Sequence, residues 1–154
     1  MVRMVKSEDA AEIGRISREV LGHHDADDEA IKKRIDNLAQ DDTYYIAVFV
    51  ENFAGRVVGF LQAQRYNLIY GGDGWNIIAL AVVSEYQHAG IGTALVNSLE
   101  AYSREWGGSF IRLNCRVERI EAHKFYEALG YHCDKEQKRF IKYLENTSKP
   151  AEFP

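Results

Sequence analysis

Proline and cysteine are both scarce in this chain. Of its 154 residues only Pro150 and Pro154 are prolines, so helices and strands can run through the rest without proline breaks. Its two cysteines, Cys115 and Cys133, form neither a C-x-x-C pair nor a metal-ligand spacing, and we expect no bound metal. The N-terminus lacks the apolar segment of a signal peptide. We therefore expect reduced thiols and a cytoplasmic location.

Long apolar runs and basic clusters are also missing. No segment approaches the roughly 18 apolar residues of a membrane span, so no membrane association is expected. The formal net charge of −4 and the absence of a Lys/Arg run argue against nucleic acid as a partner. The hydrophobic content of 46% is enough for a core. The length predicts one domain over residues 1–145, followed by a flexible tail at 146–154.

Hydrophobic periodicity predicts alternating strands and helices. The first half reads as a strand at 1–6, a helix at 7–21, a helix marked by Ile31, Ile35 and Leu38, and strands at 43–51 and 56–64. After a glycine-rich turn at 70–74 come a strand at 75–83, a helix at 90–106, a strand at 109–117, a helix at 120–129, and a last pair at 131–134 and 139–143. This β-α-α-β-β-β-α-β-α-β-β order indicates a mixed α/β fold, with a central, largely antiparallel sheet flanked by helices.

The segment Gln87-His88-Ala89-Gly90-Ile91-Gly92 joins an apolar strand to a long amphipathic helix. Glycines before a helix N-terminus allow close backbone approach, and the free N–H groups there attract anions such as phosphate. A dinucleotide fingerprint would need glycine at Leu95, and a P-loop would need lysine after Gly92, where Thr93 stands. A plain strand-to-helix turn remains the alternative.

The strand, the Q-x-x-G-x-G loop and the following helix resemble the acyl-CoA signature of the GNAT superfamily of N-acetyltransferases. Residues 121–131, which contain Phe125-Tyr126-Glu127 and Gly130, resemble a second pattern of that superfamily. The predicted order of elements matches the GNAT fold up to about Leu144. The resemblance implies acetyl-CoA as co-substrate.

The resemblance also implies roles for individual residues. The strand backbone that would contact the pantetheine arm is that of Leu80, Ala81, Val82 and Val83. Gln87 opens the loop, and the N–H groups expected to hold the pyrophosphate are those of His88, Ala89, Gly90, Ile91, Gly92 and Thr93. A local splay of the strand would make the slot for the arm. Tyr126 would donate a proton to the leaving thiolate.

The chain departs from the superfamily where a general base is often found. Asn76 and Asn114 stand at positions where many members carry glutamate, and Arg119 stands where many carry asparagine. Neither asparagine can act as a base. Deprotonation would pass through water to a more distant group, or the amine would arrive neutral. Cys115 as an acyl carrier is a weaker alternative, because buried strand cysteines are usually inert.

The acceptor is expected near the first helix pair and the hairpin. Candidate substrate residues are Tyr66, Tyr70, Trp75, Asn76 and Asn114, together with the acidic segment 23–29, which would suit a small cationic amine. The acidic residues could instead serve as the first turn of a helix.

We therefore expect acetyl transfer from acetyl-CoA to a primary amine by direct attack in a ternary complex. The alternatives are a protein or peptide N-acetyltransferase, a non-catalytic CoA-binding sensor, and an enzyme that uses a longer acyl donor. A homodimer is possible, since such dimers are common in the superfamily.

Overall fold

The computed structural model describes residues 1–144 and divides at Leu113 into two compact units. The first unit, Met1–Leu113, carries a five-stranded sheet in the order β1-β2-β3-β4-β5. Its elements are β1 (Val2–Met4), α1 (Ala10–Glu19), α2 (Asp28–Leu38), β2 (Tyr44–Val50), β3 (Val57–Leu68), β4 (Gly71–Val82), α3 (Ile91–Glu105) and β5 (Phe110–Leu113). The second unit begins at Asn114 and contains α4 (Ile120–Ala128). The predicted mixed α/β fold is confirmed.

The sheet is antiparallel from β1 to β4, and β5 joins β4 in parallel. This change of direction is possible because α3 forms the crossover between β4 and β5. Beyond Ile77, β4 continues to Val82 without a described strand paired on its β5 side, so this part of β4 has a free backbone edge. That edge is where the candidate site lies.

The core between the sheet and α3 is aromatic and aliphatic. Trp75 of β4 is 2% exposed, and its ring lies 5.6 Å from that of Tyr102 on α3. Tyr45 of β2 lies 4.8 Å from the same tyrosine and donates a hydrogen bond to Ser98 on α3. Trp75 and Tyr45 therefore face α3. Since side chains alternate along a strand, the residues next to them face the other side.

Helix α3 follows the predicted pattern over most of its length. Ile91, Leu95 and Leu99 are buried, as the periodicity predicts. Trp106, the last residue of the predicted helix at 90–106, lies just past the end of α3 and is 53% exposed. The guanidinium carbon of Arg65 sits 4.7 Å from its ring centroid, so the indole packs against a cation at the surface.

Several predicted boundaries were wrong. The turn expected at 70–74 is shorter, because β4 already begins at Gly71, which pairs with Leu68 of β3. The strand expected at 109–117 ends at Leu113, where its register with Ile77 stops. Cys115 therefore lies outside the strand and is half-buried, which removes the premise that it is a buried strand cysteine.

The final antiparallel pair is not formed, because no strand is present between residues 131 and 144. Phe140 and Ile141, which lie in the predicted strand at 139–143, are 88% and 51% exposed. A short hairpin that buries no apolar face is marginal in water, which accounts for the difference. The predicted tail at 146–154 lies outside the described residues. The prediction of one domain over residues 1–145 stays a prediction. Within residues 1–144 no helix is long and apolar enough to cross a membrane.

Candidate functional site

A β-bulge in β4 opens the sheet at Ile78. Gln62 of β3 pairs with Ala79, whereas Ala63 pairs with Ile77, so Ile78 is the extra residue. The pairing of β4 with β5 ends at Ile77 and Leu113, immediately before the bulge. A bulge bends its strand and increases the local twist. The end of β4 is therefore left without a described strand on its β5 side, and the splay expected from the resemblance stays a prediction.

Backbone alternation decides which groups face that open side. The N–H of Val83 donates to the carbonyl of Val58 on β3, so Ala81, two residues earlier, also faces β3. The backbone groups of Leu80 and Val82 then face away from β3, toward the open side. Of the predicted contacts on this strand, these two have the geometry to bind an extended ligand as an added strand would.

The loop after β4 ends at Gly90, the N-cap of α3, which has φ +78° and no side chain to cap the helix. The N–H of Ala94 donates to the carbonyl of Gly90. Within residues 1–144, no internal acceptor is recorded for the N–H groups of the six preceding residues, His88, Ala89, Gly90, Ile91, Gly92 and Thr93. A row of unpaired donors at the positive end of a 15-residue helix is suited to an anion.

The space around Gly90 and the backbone conformation of His88 also favour the binding of an anion at this loop. A Cβ at Gly90 would meet nothing within 4 Å, so the backbone is open to an approaching ligand. His88 is also left-handed, at φ 63°, and is the only non-glycine residue with positive φ in the described part of the chain. Such a conformation costs energy for a residue with a side chain, and residues in it cluster at active sites and ligand clamps.

Two side chains hold the loop in place. The amide of Gln87 donates a 3.1 Å hydrogen bond to the carbonyl of Val82, so this side chain binds the loop to the end of β4. The Tyr86 hydroxyl donates to the Glu51 carboxylate at 2.8 Å, which ties the loop to the β2–β3 hairpin and raises the pKa of Tyr86. A surface cavity of about 270 Å³ lies beside this hydrogen bond and is lined by Phe49, Glu51, Asn52, Phe53, Val58, Tyr86, Ala89 and Ile91.

Tyr126 belongs to α4 in the second unit, and the end of that helix fixes its backbone. The carbonyl of Tyr126 accepts hydrogen bonds from the N–H groups of Leu129 and Tyr131, both at 3.0 Å. Gly130, at φ 90°, takes the left-handed conformation that ends the helix, as predicted. Burial, followed by the nearby Cys115 thiol, raises the pKa of Tyr126 to about 12, against a smaller opposing effect of Arg119. The phenol is therefore protonated throughout the neutral range.

The predicted acceptor residues are not equally accessible. Trp75 packs in the core at 2% exposure, so little of its ring is available to a substrate in this conformation, and its predicted role stays a prediction. Tyr66 is 38% exposed, and its ring is covered by the guanidinium of Arg112 at 4.8 Å. Tyr70 is 85% exposed at the tip of the β3–β4 turn. Asn114 is an exposed residue of the second unit, directly after β5.

The acidic segment 23–29 is used largely by the structure itself. Asp27 is the N-cap of α2 and accepts a hydrogen bond from the N–H of Ala30. Asp28 pairs with Arg18 at 2.8 Å. The alternative interpretation, that these residues start a helix, is confirmed for both. No group of three or more His, Cys, Asp or Glu residues with metal-binding geometry occurs within residues 1–144.

Three polar residues that neighbour the predicted Asn76 on the sheet, Tyr44, Gln64 and Arg112, were missed in the sequence. Tyr44, Gln64, Asn76 and Arg112 are register partners on β2, β3, β4 and β5. They all lie on the face opposite Trp75 and α3. The alternation Gln62-Ala63-Gln64-Arg65-Tyr66 is the signal that could have found them, because every second residue of β3 there is a polar or aromatic group on one face.

Comparison with known proteins identifies the family. The model of the acetyltransferase (GNAT) family matches residues 10–131, which is more than half of the chain. The chain belongs to the GNAT family. The family model covers both the loop before α3 and the Phe125-Tyr126 pair in α4. The expected superfamily is thereby confirmed.

Two sequence relatives carry related names. An uncharacterized N-acetyltransferase of Methanocaldococcus jannaschii is 36% identical over 99 residues, which cover 64% of this chain and 58% of that protein. An N-alpha-acetyltransferase of Sulfurisphaera tokodaii is 29% identical over 99 residues, which cover 57% of this chain and 58% of that protein. The matches therefore span a little over half the length of each relative.

Solved structures show the same fold at low identity. A transcriptional regulator from Bacillus halodurans superposes with a TM-score of 0.81 at 21% identity, covering 92% of this chain and 99% of the other. An aminoglycoside acetyltransferase from an uncultured soil metagenomic sample has a TM-score of 0.78 at 19% identity, covering 94% of this chain and 96% of the other. At these identities the likeness concerns the fold.

Proposed function

We propose that this GNAT protein transfers the acetyl group of acetyl-CoA to a primary amine, by direct attack of the amine in a ternary complex. The observation that carries the proposal is the row of unpaired N–H groups from His88 to Thr93 at the start of α3. These donors suit the pyrophosphate of the co-substrate. The open edge at Leu80 and Val82 suits the amide groups of its pantetheine arm.

Acetyl-CoA would supply an activated thioester carbonyl, and the chain's own groups would act around it. An N–H group from the open edge of β4 would polarise the carbonyl and stabilise the charge that develops on its oxygen. Beyond the bulge at Ile78, β4 has no described strand paired on its β5 side, and this edge is where the ligand is proposed to bind. The buried strand β3 shields this part of β4 from water on one side.

Tyr126 is proposed to assist the departure of the thiolate. Its pKa of about 12 keeps the O–H available at neutral pH. A thiol has a pKa of about 8.5, so complete transfer of the phenol proton to the sulfur would be unfavourable. Tyr126 therefore acts best as a donor of a charge-assisted hydrogen bond while negative charge grows on the sulfur.

The acceptor amine would attack in its neutral form. Asn76 and Asn114 carry amides and cannot remove a proton from it. The reaction therefore needs a primary amine that is partly neutral at the working pH or that loses its proton to water. A small cationic amine is the acceptor class that the sequence favours. The S. tokodaii relative, named as an N-alpha-acetyltransferase, supports a protein N-terminus as the second candidate.

A titration with acetyl-CoA, followed by thiol release in the presence of amines and peptides, tests the function. Binding together with amine-dependent thiol release supports the enzyme. Binding without release from any acceptor would support a CoA-binding sensor instead. Absence of binding contradicts the assignment of the loop and with it the proposed function.

A further inference from the structure

The surface cavity beside the Tyr86–Glu51 hydrogen bond lies on the β3 side of β4, away from the free edge of that strand. Its walls come from the end of β2, the β2–β3 hairpin, the start of β3 and the loop before α3, and its volume is about 270 Å³. We call it the hairpin cavity. Ligand pockets commonly measure roughly 300–1,000 Å³, so this cavity has room for a small organic molecule.

The hairpin cavity has an aromatic and aliphatic lining. Val58 of β3 and Ile91 of α3 are buried, and Phe49 of β2 is half-buried. Phe53, at the turn of the hairpin, is 99% exposed, so its ring contributes almost nothing to the core. An aromatic ring that no other side chain covers is available to pack against a bound ligand.

A carboxylate gives the hairpin cavity its charge. Glu51 lines the cavity, and its Oε2 accepts the hydrogen bond from the Tyr86 hydroxyl at 2.8 Å. Within residues 1–144 the Glu51 carboxylate has no other hydrogen-bond or ion-pair partner, so its second oxygen is available to a ligand. Arg56 of the same hairpin is paired instead with Glu12, at 3.7 Å.

An organic cation with an apolar body matches these features. The Glu51 carboxylate attracts a positive group, and aromatic rings such as those of Phe49 and Phe53 attract cations at their faces. Glu85, next to Tyr86 in the sequence, adds a second negative charge near the cavity. A neutral molecule of the same shape would lack this electrostatic attraction, and an anion would be repelled.

Two residues belong both to the hairpin cavity and to the loop before α3. Ala89 and Ile91 line the cavity, and their N–H groups are among those without an internal acceptor. A ligand that packs against them adds a contact that holds the loop in the conformation presenting those N–H groups. Because Glu51 has a second oxygen, a cation can pair with it while the hydrogen bond from Tyr86 is kept.

We propose that the hairpin cavity binds a small organic monocation with an aromatic or aliphatic body, and that its occupation strengthens the binding of CoA at the loop before α3. The cation is an effector and not the acceptor amine, because the cavity and the free edge of β4 lie on different sides of that strand. The site does not depend on the proposed function, whereas the coupling rests on it. By linkage, CoA strengthens cation binding by the same factor.

Benzyltrimethylammonium is the probe for the site, because its positive charge is fixed and it has no N–H group that could be acetylated. Benzyl alcohol is the neutral comparison. Isotopically labelled protein without CoA is titrated with each, and amide NMR shifts are followed. We expect the largest shifts at Phe53, Ala89 and Ile91, and a Kd at least about fivefold lower for the cation than for the alcohol.

Two variants separate the charge from the apolar contact. Glu51→Gln still accepts the hydrogen bond from Tyr86 but lacks the charge, and it should reduce the preference for the cation to less than about twofold. Phe53→Ala should weaken cation binding by about threefold and leave the urea midpoint unchanged, because the ring is exposed. Glu105→Gln, at the far end of α3, makes the same change in net charge as Glu51→Gln and should keep the preference.

Calorimetric titration with CoA measures the coupling. At saturating benzyltrimethylammonium we expect the Kd of CoA to fall by about fivefold in the wild type. The same concentration of the cation should change it by less than about twofold in Glu51→Gln, because the charge that binds the cation is absent. The Kd of the cation should fall by the same factor when CoA is saturating.

The outcomes that contradict the site differ from those that contradict the coupling. Shifts confined to residues outside the cavity, equal affinities for cation and alcohol, or an unchanged preference in Glu51→Gln would overturn the site. An unchanged Kd of CoA at saturating cation would overturn the coupling, and mutual exclusion of the two ligands would show that the cavity is part of the CoA site. Failure of the wild-type protein to bind CoA would contradict the proposed function, while the titrations without CoA still decide the site.

Discussion

Tyr126 and Tyr131 are joined by both backbone and side chain. The N–H of Tyr131 donates to the carbonyl of Tyr126 at 3.0 Å, and their rings lie 5.8 Å apart, edge to face. The N–H of Gly130 also donates to the carbonyl of Glu127. Together the two hydrogen bonds and the contact between the two rings form a Schellman motif at the end of α4. Tyr126, the proposed hydrogen-bond donor, is therefore held in place by the end of α4, and Gly130 is part of the same motif.

Replacing Tyr126 by phenylalanine removes the phenol and keeps the ring. We expect kcat to fall by about 10- to 100-fold, the value of a hydrogen bond to a developing charge, with little change in CoA affinity. Stopped-flow thiol release and CoA titration measure the two quantities separately. Tyr143→Phe, at a 41% exposed position of the same unit, is the matched control. Unchanged turnover in Tyr126→Phe would exclude the phenol from the reaction.

The raised pKa of Tyr126 predicts a difference in alkaline solution. A tyrosine titrates near pH 10 in the unfolded chain and at about 12 in the folded protein. Its contribution to stability is therefore fully present below pH 10 and is lost as the pH rises through 12. In absorbance titrations at 295 nm, Tyr126→Phe should lack one late-titrating phenol. If instead the variant lost a phenol titrating near pH 10, Tyr126 would not be buried as described.

Aspartate at Gly90 would place a carboxylate among the donors of the loop. We expect CoA affinity to fall by about 100-fold, because a like charge would meet the pyrophosphate. Gly22→Asp is the control, since Gly22 also has positive φ, +74°, and open space around it. Both variants carry the same backbone strain and charge. Calorimetric titration with CoA should distinguish them, and equal affinities would refute the loop assignment.

Alanine at Gly74 should destabilise the sheet. A Cβ there would overlap the ring of Phe110, which packs across β4 from β5. Overpacking of this kind costs about 1–3 kcal/mol of unfolding free energy. Gly71→Ala adds the same methyl group near the start of β4, where nothing lies within 4 Å. Urea denaturation of the two variants compares them, and equal midpoints would show that Phe110 can move aside at little cost.

Arg3 and Asp9 form an ion pair whose carboxylate is buried. Asp9 is 4% exposed and accepts two hydrogen bonds from Arg3, at 2.7 and 2.8 Å. Burial alone would raise the pKa of Asp9, but the hydrogen bonds from Arg3 and from the N–H of Lys6 outweigh it and lower the pKa. Arg3→Ala leaves a buried carboxylate, and we expect it to cost about 3 kcal/mol at neutral pH.

The sign of that pKa shift sets the pH dependence. The stabilisation by the Arg3–Asp9 pair is present above the unfolded pKa of about 3.9 and disappears as the pH falls through the lower folded value. The deficit of Arg3→Ala should therefore shrink in strong acid. Arg104→Ala, which breaks an exposed pair with Glu100, should cost less than about 1 kcal/mol at any pH. A constant deficit for Arg3→Ala from pH 7 to pH 2 would contradict the assignment.

Local chemistry allowed much of the candidate site to be predicted. The loop from Gln87 to Gly92, the helix after it and the glycine that ends α4 all depend on residues adjacent in the chain. Backbone conformation and helix capping are local properties, which explains why these predictions agree with the structure. The fold class followed from the order of elements, because short connections permit few topologies.

The interior of the site depended on tertiary contacts. The sequence alone indicated an aromatic acceptor wall that included Trp75, yet the packing of Tyr102 on α3 draws that ring into the core. The bulge at Ile78 arises from the register between β3 and β4, which no local pattern specifies. The chain by itself determined the loop before α3 and the order of elements. Only strand register and packing decided where the sheet opens and which polar side chains face the opening.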